Sequence, residues 1–310
     1  MRRVRRPVLM GVLAAAALVV ALPGCTVPSY PSTAAACGAA APAPARYDHV
    51  VVVMMENRTW DAVGGVGFGD RYMPYLKDLG ANCTVFRDWT ETNTEQNSLN
   101  QYVGLTSGVS NPSTVDDCDP SPTCRSTDDN LFRQVRRSGG TARTYVDNTQ
   151  HACAAEDNRW KHIPAAYYQG TYTDATGVHN DHDVCGEEVR PLGEFDPDRL
   201  PTFSMIVPDQ CNDGHDCLNY RVDEFAANYV GAVLRSRTYA EGRTAVMVLW
   251  DEDRPVPNLL IAPTARRGVQ DLPGAGHAAM LRTWEEMLAL PVLPTPALAA
   301  APSLRTAANI

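Results

Sequence analysis

The chain has 310 residues, 44% hydrophobic and 20% charged, with 27 Lys+Arg against 36 Asp+Glu. That is apolar mass enough for one large α/β domain or two ordinary ones, and it excludes a disordered chain, a coiled coil and a multi-span membrane protein. The formal charge of -9 argues against a non-specific nucleic-acid binder, because polyphosphate backbones need a net basic face.

The first element is an export signal. Arg2, Arg3, Arg5 and Arg6 precede an apolar run from Val8 to Leu22, followed by Pro23-Gly24-Cys25. A basic head, a short apolar stretch and small residues before a cleavage point predict a secretory signal over 1–24. The run is shorter than the roughly 20 residues that span a bilayer. Cys25 after Leu-Pro-Gly resembles a lipobox, which predicts a lipidated Cys25 and a membrane anchor, with simple secretion as the alternative. Thr26 to Arg46, rich in Pro, Ala and Ser, reads as a flexible tether.

From Tyr47 onward, buried-strand runs alternate with amphipathic stretches. His49–Met55 is a continuous β-branched run of the kind buried on both faces of a parallel sheet. Helices are predicted at Arg71–Leu79, Leu99–Thr106 (stopped at Gly108), Leu131–Arg137, Asp223–Arg237 and His277–Leu290. Strands are predicted at Ala142–Val146, Phe203–Val207, Ala245–Trp250 and Leu259–Ala262. This alternation predicts a layered α/β domain over 47–293 with a mostly parallel sheet. Residues 294–310 read as a Pro- and Ala-rich tail. The glycines at 64, 65, 67 and 69 match neither a dinucleotide fingerprint nor a phosphate loop and read as a turn.

Nine cysteines support export: with Cys25 set aside for lipid, eight remain, an even number suited to disulfides. Close spacing pairs Cys118 with Cys124 and Cys211 with Cys217, and elimination leaves Cys153–Cys185 and Cys37–Cys83. A zinc site is the less favoured reading, because the cysteines are scattered through polar loops.

Chemistry in a parallel sheet gathers at the carboxyl ends of its strands. Three strands here run into polar groups: Met55 into Glu56-Asn57-Arg58-Thr59, Val207 into Pro208-Asp209 and the loop Cys211-Asn212-Asp213-Gly214-His215-Asp216-Cys217, and Trp250 into Asp251-Glu252-Asp253. Oxygen ligands and a histidine converging there suit a divalent cation and a phosphoryl or sulfuryl group. Ser98 opens a predicted helix, where unpaired amides would favour an alkoxide and an incoming anion. An N-cap is the commoner role for a serine at that place, and spacing alone leaves both roles open. Thr59 reads as structural, with a nucleophile role as the alternative. His49 reads as a strand-edge residue. His179-Asn180-Asp181-His182-Asp183 reads as a solvated polar loop.

The strings HVVVVMMENRTWD, NSLNQYVGLTSG, KHIPAAYY, CNDGHDC, VLWDED and HAAMLRTWEEMLALP, in this order, resemble the bacterial and fungal acid phosphatase and phospholipase C phosphoesterase family, over roughly Tyr47 to Leu293. The resemblance is to its short branch of secreted acid phosphatases. It implies an alkaline-phosphatase-like fold and a divalent metal held by Glu56, Asn57, Asp251 and Glu252. It implies Ser98 as nucleophile, through a phosphoserine, with His215, His162 and His277 lining the pocket. The substrate would be a phosphorylated small molecule or a phospholipid head group. The chain has Gln96-Asn97-Ser98 where the family has His-Pro-Ser, and Trp250-Asp251-Glu252-Asp253-Arg254-Pro255 where it has Trp-Asp-Glu-Asp-Asp-Gly. A phospholipase C-type phosphodiesterase and a catalytically retired phosphate-binding lipoprotein are the alternative readings.

Overall fold

The structure is a computed structural model that describes residues 30–65, 68–93, 97–154, 160–174 and 176–310. The expected signal peptide, Cys25, the first tether residues, part of the glycine-rich turn and Gln96 lie outside the described residues. The compact unit spans Ser32–Ile310.

In chain order the elements are β1 (His49–Met55), α1 (Pro74–Asn82), β2 (Thr84–Phe86), α2 (Ser98–Ser107), α3 (Leu131–Arg137), β3 (Ala142–Val146), β4 (Thr171–Asp174), β5 (Gly177–Asn180), α4 (Cys185–Glu188), β6 (Val189–Pro191), β7 (Phe203–Val207), α5 (Asn219–Leu234), α6 (Arg237–Ala240), β8 (Thr244–Trp250), β9 (Asn258–Ile261), β10 (Gly268–Gln270), α7 (His277–Met287), α8 (Pro296–Ala300) and α9 (Arg305–Ala308). One eight-stranded sheet has the order β10-β2-β9-β8-β1-β7-β3-β6, and β4 and β5 form a separate hairpin. Within the large sheet only the pairings of β9, with β8 and with β2, are antiparallel; the others are parallel.

The β-branched run of β1 is central, between β8 and β7, and its residues Val50 to Met55 have no solvent exposure. Burial of both faces is the condition under which a strand need not alternate polar and apolar residues. The register sets Met55 opposite Trp250 and Val53 opposite Ile206, so β1, β8 and β7 deliver their carboxyl ends side by side. The predicted β1, α3, β3 and β7 coincide with the observed elements, and β8, β9 and α2 differ by a residue at either end.

The helix expected at Asp223–Arg237 starts earlier, at Asn219, and stops at Leu234. Asp223 does not cap its own helix. Its two carboxylate oxygens accept the Tyr75 and Leu76 N–H groups, at 3.1 and 2.8 Å, and so cap α1 from outside. That also explains where α1 begins: Pro74 takes the first turn, and the cap comes from a residue 149 positions along the chain from it.

Two terminal segments differ from their sequence readings. Residues from Thr33 to Arg46, read as flexible tether, are bound to the domain. Thr33 bonds Asp78 through N and Oγ1 at 2.8 Å, Tyr239 donates to the Ala36 carbonyl, and Cys37 is joined to Cys83. Residues 294–310, read as a tail, form α8 and α9 and bury Leu298, Leu304, Ala308 and Ile310. Pro, Ala and Ser composition signals a poor helix core, but long-range polar contacts to neighbouring elements can still fix such a segment.

All four disulfides reached by spacing and elimination are present: Cys37–Cys83, Cys118–Cys124, Cys153–Cys185 and Cys211–Cys217. The loop at 179–183 is not wholly solvated. Asp181 is buried and accepts from Arg133 and Arg136, which also reaches Glu188.

Candidate active site

Glu56 follows β1 directly and Asp251 follows β8, and the strand register brings them together. The Asp251 N–H donates to the Met55 carbonyl at 3.2 Å, and the Asn57 N–H donates to Asp251 Oδ1 at 3.2 Å. The loop after β7 closes the third side, with the Glu56 N–H donating to the Asp213 carbonyl at 3.0 Å. The Cys211–Cys217 bond clips this loop, and Gly214 turns it with φ +99, a conformation glycine adopts without strain. Arg58 ties the two loops together, donating to the Asn57 and Cys217 carbonyls at 3.2 and 2.9 Å and to Asn219 Oδ1 at 3.3 Å.

The helix α2 brings the hydroxyl. Asn97, not Ser98, is its N-cap, accepting the Asn100 N–H at 3.0 Å. Ser98 is therefore the first helical residue, buried, with Oγ donating to Glu56 Oε2 at 3.0 Å. Its hydroxyl also lowers the Asp251 carboxyl slightly, against the burial that raises it. One turn on, Tyr102 donates to Glu56 Oε1 at 2.7 Å and stacks on His162, whose Nε2 lies 3.3 Å from Glu56 Oε2. The expectation of unpaired amides at this helix end needs correction. The Asn97 N–H goes to Glu252 Oε2 at 2.8 Å, the Leu99 N–H to Asp117 Oδ1 at 2.9 Å and the Asn100 N–H to Asn97. Polar loops had already claimed these donors.

Four carboxyls crowd this volume, and burial is the largest influence on each of them, with the neighbouring charges second. Burial raises Glu56, but the facing His162 and the hydrogen bonds from Tyr102 and Ser98 outweigh it and hold Glu56 below its ordinary value. The neighbours move the other way. Burial and the Glu56 charge push Asp213 up to about 9 and Glu252 up to about 7, and burial with Glu56 and Glu252 pushes Asp251 well up. Among these protein groups the negative charge settles on Glu56.

Asn57 Oδ1, Asp213 Oδ2 and Asp251 Oδ2 are buried without a hydrogen-bond partner. Orphaned buried oxygens are costly, and these three, with Glu56 and Glu252, are hard donors suited to a divalent cation. Among the described residues no three His, Cys, Asp or Glu side chains already stand as a closed metal cluster. The reason is visible in the bonds: Glu56 is turned to Tyr102 and Ser98, and Glu252 to the Asn97 N–H. The donor chemistry fits a cation, with Asn57 as part of the set.

The three expected histidines separate. His162 is inside, against Glu56. His277 is buried behind the site: Nε2 donates to the Trp250 carbonyl at 3.1 Å, Nδ1 faces Thr92 Oγ1 at 3.5 Å, and burial pushes its pKa down to about 4. Both ring nitrogens are engaged, so it is a neutral strut under the β8 carboxyl end. His215 is exposed on the loop after β7, with its backbone N–H bonded to Asp213 Oδ1 at 2.8 Å and Nδ1 2.7 Å from Asp216 Oδ1. Thr59 Oγ1 accepts the Ala62 N–H at 3.3 Å, in keeping with its structural reading. Tyr102, Asp213, Asp117 and Lys161 were not singled out in the sequence. Asp213 was within a quoted motif, but only the structure shows that it, and not its neighbour Asp216, faces Glu56.

The model of the phosphoesterase family matches residues 66–274. The chain belongs to the phosphoesterase family. Its members are hydrolases of phosphoric ester bonds, and this chain is one. A phosphatidylinositol-3-phosphatase of Mycobacterium tuberculosis is 26% identical over 270 residues, covering 82% of this chain and 81% of that protein. Among solved structures, a protein in the alkaline phosphatase superfamily from Vibrio parahaemolyticus aligns with a TM-score of 0.50 at 13% identity, over 86% of this chain and 73% of that one. Ps i-CgsB aligns with a TM-score of 0.51 at 10% identity, over 84% and 75%. These likenesses show the fold: an alkaline-phosphatase-like α/β domain with a mostly parallel sheet.

Proposed function

We propose that the chain is an exported, metal-assisted phosphomonoesterase of acid phosphatase type that works through a phosphoserine at Ser98, anchored to the membrane through lipidated Cys25. The observation that carries this reading is the Ser98 hydroxyl, buried at the first position of α2 and bonded to Glu56 among three orphaned oxygens. Similarity to a phosphatidylinositol-3-phosphatase over most of both chains supports a phosphate monoester, on a lipid head group or a small molecule, as substrate.

Glu56, Asn57, Asp251 and Glu252, with Asp213 added by the structure, would hold the cation, which supplies positive charge to the phosphoryl oxygens and lowers the hydroxyl pKa. Ser98 Oγ attacks phosphorus while its hydrogen passes along the existing bond to Glu56 Oε2. As the Ser98 O–P bond forms, the ester P–O bond breaks, and the leaving oxygen takes a proton from Nε2 of His215, whose Nδ1 is oriented by Asp216. Water then attacks the phosphoserine and gives a proton to Nε2 of His215; as the new P–O bond forms the Ser98 O–P bond breaks, Ser98 Oγ takes its proton back from Glu56, and phosphate leaves.

The test is phosphate release from an aryl phosphate by the 26–310 protein, disulfides intact, across divalent metals. Ser98→Ala is expected to lose more than ~10³-fold in turnover, with a serine-bound phosphate trapped in the parent at low pH. Full activity in Ser98→Ala would refute the mechanism. Turnover of a choline phospholipid but not of monoesters would favour the phospholipase C-type reading, and phosphate binding without turnover the retired one.

A further inference from the structure

The site as built has an electrostatic deficit. Glu56 keeps its negative charge where a dianionic substrate would arrive, and the Leu99 and Asn100 N–H groups at the start of α2 are already bonded to protein oxygens. A divalent cation offsets part of this charge. A cationic side chain held beside Ser98 would add to it.

Lys161 is in the same 3-10 turn (Trp160–His162) that presents His162 to Glu56. Its ammonium is 3.2 Å from Asp117 Oδ2, and its side chain keeps 17% of its exposure, so it is partly withdrawn from water. The other oxygen of Asp117 accepts the Leu99 N–H, immediately after Ser98. One carboxylate therefore fixes Lys161 relative to the backbone of the nucleophile. Asp117 does so from a left-handed backbone, φ 51. Burial lowers the Lys161 pKa, but Asp117, then Glu56 and Asp251, more than restore it, so the ammonium feels the site carboxylates directly.

We propose that Lys161, held by Asp117, is a binding residue for the non-bridging oxygens of the substrate phosphate. This rests on the Ser98 reading and adds the group that selects a dianionic phosphoryl ligand. A lysine is a mobile point charge with three donors, suited to following those oxygens from the ester to the phosphoserine and on to free phosphate.

The experiment measures inorganic phosphate binding by calorimetry on the whole 26–310 protein, alongside kcat and KM for a monoester dianion and for bis(4-nitrophenyl) phosphate, a monoanion. The variants are Lys161→Met, Lys161→Arg and Ser98→Ala. Lys161→Met is expected to weaken phosphate binding by ~10–10²-fold and to reduce kcat/KM more for the dianion than for the monoanion, with Lys161→Arg recovering part of both. Wild-type phosphate affinity in a Lys161→Met protein of unchanged melting temperature would overturn the proposal, as would equal losses on dianion and monoanion. If Lys161→Met does not fold, Lys161→Arg decides: affinity below ~10% of the parent would overturn a role that needs only positive charge. Ser98→Ala keeps Lys161 and is expected to bind phosphate, so active Ser98→Ala with charge-dependent loss in Lys161→Met would sink the nucleophile assignment alone.

Discussion

Ser98 and His215 have opposite environments, and their chemistry divides accordingly. Ser98 is buried with its hydrogen aimed at Glu56, whereas His215 is exposed on the loop after β7 with Nδ1 committed to Asp216. A group that protonates the leaving oxygen matters in proportion to the basicity of that oxygen. His215→Ala is therefore expected to cost ~10²–10⁴-fold in kcat with an alkyl phosphate and less than ~10-fold with 4-nitrophenyl phosphate, whose leaving group needs no proton. Equal losses on both substrates, read from steady-state kinetics, would move His215 from proton donor to simple phosphate contact. His277 lacks this option, because both its nitrogens face protein groups in a dry setting.

At the scale of elements, two disulfides of different span separate stability from function. Cys37–Cys83 closes a separation of 46 residues and pins the N-terminal segment to the end of α1, outside the loops that carry the site residues. Cys211–Cys217 closes a separation of 6 and shapes the loop that carries Asp213. Loop-closure entropy assigns the first about 4 kcal/mol and the second about 2 kcal/mol. The paired serine variants are thus expected to rank one way in urea midpoint, with the 37/83 pair the more damaged, and the other way in kcat/KM. The same contrast explains what could be read from the sequence. β1, β7 and β8 are legible because burial on both faces writes a near-continuous apolar run, and the acids that follow them mark the strand ends. β2, β6 and β10 have three residues each, too short to express a period. The α1 cap from Asp223 and the Asp117 link between Leu99 and Lys161 are long-range contacts made by single residues in polar stretches, with no local pattern to announce them.

Over the whole molecule, four disulfides are compatible with export to an oxidising compartment, and among the described residues no helix is long and apolar enough to cross a membrane. The C-terminal residues close the domain against its N-terminal segment: Arg305 donates to the Pro44 and Ala45 carbonyls, and Asn309 to those of Ala41 and Thr264. Where this segment leaves α7, Glu285 is fully buried and accepts the Leu293 N–H at 2.9 Å through Oε1, while its Oε2 and Gln134 Oε1 both lack a partner. Burial pushes the Glu285 pKa from 4.5 up to about 7, against the Leu293 N–H, which lowers it. A carboxyl with a raised folded pKa binds its proton more tightly in the native state. Its contribution to stability is complete below about 4.5 and is lost as pH rises to about 7. Glu285→Gln carries a permanent donor in the same shape. It is expected to match the parent in stability at pH 5 and to exceed it at pH 8 by on the order of 1–3 kcal/mol. Glu188, Asp223 and Glu252 are also raised and give the parent its own slope, so the quantity to measure is the difference between the two proteins at each pH, by urea unfolding. Parallel curves would show that Glu285 is ionised in the native state and that the carboxyl end of α7 is held by the Leu293 bond alone.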